Sequence, residues 1–311
     1  GYSPQGAQYS GSNNVLVGYA AGAVTGGDNN VALGAYAGYY STGSENTFVG
    51  GAAGQGGTTS APYSSGLYNV AVGRQAFKGF TSAKYSTAIG FRAGYQITSG
   101  NSNTILGYAA GYDITTGYQN TYLGVEAGYN NNGFSNVIIG RQAGYDATDT
   151  DKLVLIGDSA GADINAGSSD GTVAIGYQAG TRHTSGAGCV YVGNAAGDHC
   201  TDGNRNVAIG EASLSGNADD DNVAVGYGAL GVCLSADNVG VGTNAGNTIA
   251  TGAENTLVGY NVDVASGDNT NNVVLGNNLT ATDKDNAVFI GNDTNHIEND
   301  FNADATWNYS S

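Results

Sequence analysis

Few side chains in this 311-residue chain are of types that could do chemistry, and their spacing decides what they could do. Cleaving a glycan takes two carboxyl groups roughly 5–10 Å apart across a sugar-sized groove. The glutamates Glu45, Glu126, Glu211, Glu254 and Glu298 are instead scattered along the chain. The aspartates gather as Asp146, Asp149 and Asp151, as Asp219, Asp220 and Asp221, and as Asp283 and Asp285. All three groups fall in polar stretches that read as solvated turns, and no EF-hand or related calcium pattern accompanies them. His183 and Cys200, with Asp198 and His199 nearby, come nearest to a metal pair, but they match no known ligand spacing. No Ser-His-Asp set, phosphate loop or zinc motif is present. The expectation is a protein with no catalytic residue, no cofactor and no bound metal.

The elements that hold these residues follow from a repeat. Residues 12–54 read SNNVLVGYAAGAVTGGDNNVALGAYAGYYSTGSENTFVGGAAG, one phrase stated three times. A glycine closes an apolar triplet at Gly18, Gly34 and Gly50 and so on to Gly276 and Gly291, seventeen times at intervals of roughly 16–17 residues. The intervals Gly50 to Gly73 and Gly157 to Gly176 are longer. Three residues before each anchor the chain has only Val or Thr, and one residue before only Val, Leu or Ile, apart from the variable position between. β-Branched residues at alternate positions fit a strand, and so short a period leaves no room for a helix pair. The expected fold is all-β: a single-domain parallel β-roll or β-solenoid of about seventeen short rungs. Residues 1–13 are a lead-in, 14–291 the repeat shaft, and 292–311 a cap or collar.

The middle position of each triplet is also apolar, as in Leu16, Phe48, Ile105, Tyr122, Ile138 and Leu155. Strands apolar on both faces are buried on both faces. The strict β-branched pair is therefore expected inside the coil, and the middle column at an interface with further copies of the chain. Asn recurs four residues before many anchors, among them Asn14, Asn30, Asn46, Asn103 and Asn120, and is expected to stack as an amide ladder along the axis. Small residues such as Ala37, Ala53, Ala93 and Ala110 suit a narrow interior.

With nine Lys plus Arg against twenty-six Asp plus Glu, the formal charge is -17, which disfavours nucleic acid and anionic membranes as partners. No apolar run is long enough to span a bilayer, so no membrane insertion is expected. Met is absent, which suggests a processed chain or part of a longer one. The three cysteines are an odd number; Cys200 and Cys233 share one column two rungs apart, about 9.6 Å, too far for a disulfide.

Tyrosines are the best candidates for contact. Tyr39, Tyr95, Tyr112, Tyr129 and Tyr145 each lie five residues after an anchor, the last four on consecutive rungs. They form either a packing ladder at one corner or an exposed aromatic surface for glycans. The longest interruption, Gly54 to Asn69, carries Pro62, Tyr63 and Tyr68; insertions in solenoids map to loops on one face, so it is either a contact loop or a plain bulge. The candidate receptor contacts are thus Tyr63, Tyr68, Tyr95, Tyr112, Tyr129 and Tyr145.

The N-[VT]-x-[VIL]-G-x-x-A-G phrase resembles the head repeat of trimeric autotransporter adhesins, and more closely the related repeats of bacteriophage tail fibres. That resemblance implies a left-handed parallel β-roll packed as a homotrimer. The last segment, GNDTNHIENDFNADATWNYSS, is similar to the stretch before the self-cleaving intramolecular chaperone of phage fibres, which would make Ser311 a terminus left by autocleavage. The resemblance implies a virion fibre, extracellular, with host-surface glycan or receptor and other fibre or virion proteins as partners. The alternative is a bacterial cell-surface adhesin head or extracellular filament subunit.

Overall fold

The computed structural model of the chain describes residues 10–24, 26–57, 63–165 and 169–301. It is an all-β parallel solenoid with no helix among the described residues. The chain divides into two compact units, Gly1–Asp158 and Ser159–Ser311. In a coil each turn touches only its neighbours, so no common centre gathers every turn.

The first unit contains β1 (Val15–Val17), β2 (Val31–Leu33), β3 (Thr47–Val49), β4 (Val70–Val72), β5 (Thr87–Ile89), β6 (Thr104–Leu106), β7 (Thr121–Leu123), β8 (Val137–Ile139) and β9 (Val154–Ile156). Each pairs in parallel with the next in strict register, as in Thr104↔Thr121, Ile105↔Tyr122 and Leu106↔Leu123. The second unit repeats the arrangement in β10 (Val173–Ile175), β11 (Val190–Val192), β12 (Val207–Ile209), β13 (Val223–Val225), β14 (Val239–Val241), β15 (Thr256–Tyr260), β16 (Val273–Asn277) and β17 (Ala287–Asn292). Parallel stacking then stops, because β18 (His296–Asp300) turns back and pairs antiparallel with β17, Ile290 opposite Ile297.

Strands of three residues end where the anchor glycine turns the chain. Gly124 has φ 142°, and a Cβ there would lie 2.4 Å from the carbonyl oxygen of Gly140 in the next turn. Only glycine meets both demands. Side-chain-bearing residues also take positive φ at the corners, such as Gln119 (φ 58°) and Glu126 (φ 57°). Each such residue costs about 1–2 kcal/mol. The cost is offset because its N–H reaches the preceding turn, Gln119 to Asn101 O and Glu126 to Tyr108 O, both at 2.9 Å.

The buried asparagines do not form the expected amide-to-amide ladder. The Asn120 Oδ1 accepts the backbone N–H of Asn136 at 2.9 Å, and its Nδ2 donates to the carbonyl of Gly133 at 2.8 Å. Asn30, Asn46 and Asn103 make the same pair of contacts to the turn above or, for Asn46, across the longer insertion. A planar amide matches the donor and acceptor spacing of a bent backbone, so each side chain staples main chain rather than its counterpart. An amide-to-amide bond does occur once in this column, from Asn255 Nδ2 to Asn238 Oδ1 at 3.1 Å.

The two strand faces are also the reverse of the expectation. The middle column lies inside the coil: Ile105 is 1 % exposed, and Tyr122, Ile138 and Leu155 are 0 %. The flanking residues face outward, with Leu106 at 43 % and Leu123 at 41 %. The strand is only one wall of the interior, and the Ala-Gly corner folds back against its middle residue, leaving the flanks outside. Burying an Ile or Leu here contributes about 1.5–3 kcal/mol.

Volume is conserved within and between turns. Beside Phe48 and Tyr191 the residue four beyond the anchor is glycine: a Cβ on Gly54 would lie 2.2 Å from Phe48 Cδ1, and one on Gly197 2.3 Å from Tyr191 Cδ1. At Ala71, Ala208 and Ala224 the middle residue is small and that fourth position holds Phe77, Leu214 and Leu230, all buried. At Ala32 and Ala174 both positions are small, and the ring of the next turn fills the space: a Cβ on Gly38 would lie 3.0 Å from Phe48 Cδ2 and one on Gly180 2.6 Å from Tyr191 Cδ2. Interiors packed to crystal-like density demand this exchange.

Candidate binding surfaces

The Tyr stripe exists. The rings of Tyr95 and Tyr112 stack with centroids 4.9 Å apart and planes 2° from parallel. Tyr112 with Tyr129 and Tyr129 with Tyr145 follow at 5.0 Å each. One residue per turn at a fixed corner produces this spacing, since turns repeat at about 4.8 Å. The rings are half-buried. Stacking consumes their faces, so the row presents edges and hydroxyls along its length. Burial first, then the Asp113 carboxylate and the adjoining rings, holds the Tyr129 hydroxyl above its ordinary range, which keeps it neutral. A sugar that packs flat on an aromatic face finds room only at an end of the row. Tyr39 is not in the stack; its ring meets Tyr36 and Tyr40 edge-on.

At the Tyr95 end lies a groove of about 440 Å³ lined by Tyr40, Gln55, Lys78, Tyr95, Gln96 and Thr98. It opens because two successive turns carry glycine, Gly56 and Gly79, in the column that holds Tyr40 before them and Gln96 after. Tyr63, from the inserted loop, stacks behind Tyr40 at 6.1 Å. Thr58 to Pro62 of that loop lie outside the described residues. Ser64 Oγ donates to Phe80 O at 2.7 Å and so ties the end of the loop to the coil. Tyr68 is elsewhere, exposed and stacked on Tyr85 at 5.2 Å. The candidate contacts therefore separate into three places: the groove wall, the stack, and the Tyr68–Tyr85 pair.

The groove could have been found from charge. No carboxylate occurs between Glu45 and Asp113, yet four of the nine cations, Arg74, Lys78, Lys84 and Arg92, fall in that window. In a chain of charge -17 this is a sharp local reversal. The Lys78 Nζ sits 5.4 Å from the Tyr95 ring centroid and donates to its hydroxyl at 3.3 Å. Arg92 lies 5.5 Å from the same ring.

A second surface is the outward strand face. Ile89, Leu106 and Leu123 follow one another on consecutive turns, all exposed, with exposed Tyr108 and Val125 two residues beyond the latter pair. Contiguous exposed apolar surface of this kind marks interaction sites.

The acidic groups serve the backbone. Asp151 Oδ1 accepts the Phe134 N–H at 2.9 Å, Asp285 Oδ1 accepts that of Thr270 at 2.7 Å, and Asp220 Oδ1 accepts that of Asn204 at 2.9 Å. Arg205 bridges Asp220 and Asp221 at 3.1 and 2.6 Å, and its guanidinium holds the Asp221 carboxyl below its usual range. For Asp220 the Asn204 bonds come first in the same direction.

His183 and Cys200 do occupy one buried column on adjacent turns, but the imidazole faces the Cys200 carbonyl, 3.2 Å from Nδ1, rather than its sulfur. His183 Nε2 lies 2.6 Å from Gly186 O and so carries the proton, while Tyr191 O–H donates to Nδ1 at 3.3 Å. In the first unit Tyr122 O–H donates to buried Asn131 at 2.8 Å. Buried phenols need partners, and that need explains both polar residues inside the coil. Among the described residues no three His, Cys, Asp or Glu side chains are grouped to hold a metal ion. Cys189, Cys200 and Cys233 are buried thiols. No described helix is long and apolar enough to cross a membrane.

No family model, no curated protein and no solved structure matches this chain.

Proposed function

We propose that this chain is the shaft of a non-enzymatic surface-attachment fibre, assembled as a homotrimer with the left-handed coil that its resemblance to phage tail-fibre repeats implies. The outward apolar strand face carries the reading. Ile89, Leu106 and Leu123 are exposed on successive turns where a soluble coil standing alone would place polar residues. Packing against further copies removes that face from water, and a three-chain rod resists bending far better than one thin coil. In this reading the fibre is extracellular, on a virion, and its partners are other fibre proteins and a host-surface glycan or receptor. The interface it uses is the outward flank of the strands, not the middle column.

Sedimentation of the purified chain tests this. The expected particle has three times the 31.1 kDa chain mass, and the pair Leu106→Glu with Leu123→Glu reduces it to single chains that remain folded by circular dichroism. A monodisperse 31.1 kDa particle from the unaltered chain would overturn the proposal.

A further inference from the structure

The geometry points to the groove between Tyr40 and Tyr95 as a binding site for an acidic saccharide, one whose sugar ring carries a carboxylate. This deepens the attachment reading by naming what the fibre holds.

Three independent features converge there. The first is shape. Loss of the side chain at Gly56 and Gly79 leaves a gap between the Tyr40 turn and the Gln96 turn. Those turns are three steps apart, about 14 Å, which accommodates one or two pyranose rings. The second is the wall chemistry. Tyr95 ends the stacked row, so its ring has one face on Tyr112 and turns the other toward Lys78 and the groove. Tyr40 closes the opposite end and is backed by Tyr63. Aromatic surface with amides beside it, here Gln55 and Gln96, suits a ligand that is apolar on its ring faces and polar around its rim.

The third feature is charge. A neutral sugar would need no cation, and an acidic coil has no general reason to concentrate cations in the window that contains its groove. Lys78 lies in the groove, and among the described residues no carboxylate is within ion-pairing distance of it. Its ammonium is held by the Tyr95 ring and hydroxyl. Asp113, one turn beyond, accepts the Gln96 amide, which fixes that amide at the rim. The more distant carboxylates act weakly, because the screening length at physiological salt is about 8 Å, less than two turns. A ligand carboxylate at Lys78 gains a charge-assisted hydrogen bond while its ring meets Tyr95.

The test uses a tetramer of galacturonic acid and the same tetramer fully methyl-esterified, titrated against the unaltered protein. The acid form is expected to bind about tenfold more tightly, the ratio that one charge-assisted hydrogen bond sustains. Lys78→Gln should erase the preference, Lys78→Arg should keep most of it, and Tyr95→Leu should weaken both forms. Equal binding of the two forms, no binding of either, or indifference to Lys78→Gln overturns the site. Competition by inorganic phosphate as effective as by the tetramer would reduce recognition to bare charge and overturn its saccharide part. Salt-sensitive self-association without saccharide binding would assign the cations to acidic turns of another copy, again overturning it. Chain mass is measured separately, so a monomer that binds the tetramer refutes the fibre and leaves the site standing.

Discussion

The side chain of Leu230 occupies the space that a side chain on Gly240 would need: a Cβ at Gly240 would lie 2.8 Å from Leu230 Cγ and 2.9 Å from Ala245 O. The two residues belong to successive turns, so the interior is filled by exchange between neighbours. Leu230→Ala should cost about 2–5 kcal/mol, and Gly240→Ala about 1–3 kcal/mol by overpacking. In a double-mutant cycle by chemical denaturation, Gly240→Ala should cost less when Leu230 is already Ala. Strict additivity would show that the two do not share that space.

The amide staples make a second prediction. Asn120→Ala leaves the Asn136 N–H and the Gly133 carbonyl without their partner, costing about 1–3 kcal/mol for each buried group. Asn120→Ser should be milder, since Ser86 fills the equivalent place and its Oγ accepts the Asn103 N–H at 3.2 Å. Equal losses for Ala and Ser would refute the stapling role.

Acid should weaken the second unit through His183. Burial pushes its pKa below the ordinary 6.5, against the opposing pull of the Gly186 and Cys200 carbonyls. The unfolded chain therefore takes up this proton at a higher pH than the folded one. Stability is full above the unfolded value and falls as pH drops through 6.5 toward the lower native value. His183→Asn keeps a polar partner for Tyr191 and removes the titration. Its stability profile should be flatter than that of the unaltered protein between pH 7 and pH 5, the range of histidine titration. Parallel profiles would clear His183 of the effect.

The thiols should be inert in the folded chain. Burial pushes the Cys200 pKa up to about 12, and Cys189 and Cys233 are raised for the same leading reason. A thiol-disulfide reagent at pH 8 should find no reactive cysteine until denaturant is added, since the thiolate is the nucleophile. Prompt reaction without denaturant would mean that the column opens.

Repetition made much of this protein legible from its residues alone. A glycine after every Val/Thr-x-Val/Leu/Ile triplet dictates short strands, parallel register and a coil, because a phrase repeated at one length returns the chain to the same place in each turn. Equal spacing likewise determined that Tyr95, Tyr112, Tyr129 and Tyr145 would stack. It could not tell inside from outside. A three-residue strand apolar at every position looks the same from both faces, and only the corner, folding Gly128 back over Tyr122, decides that Tyr122 is core and Leu123 surface. Nor could spacing foresee that Asn120 would hold backbone rather than another amide, since that depends on the angle at which the next turn presents its N–H and carbonyl. The groove is tertiary in origin for the same reason: Tyr40, Lys78 and Tyr95 come from separate turns, and the space between them exists only once those turns are stacked.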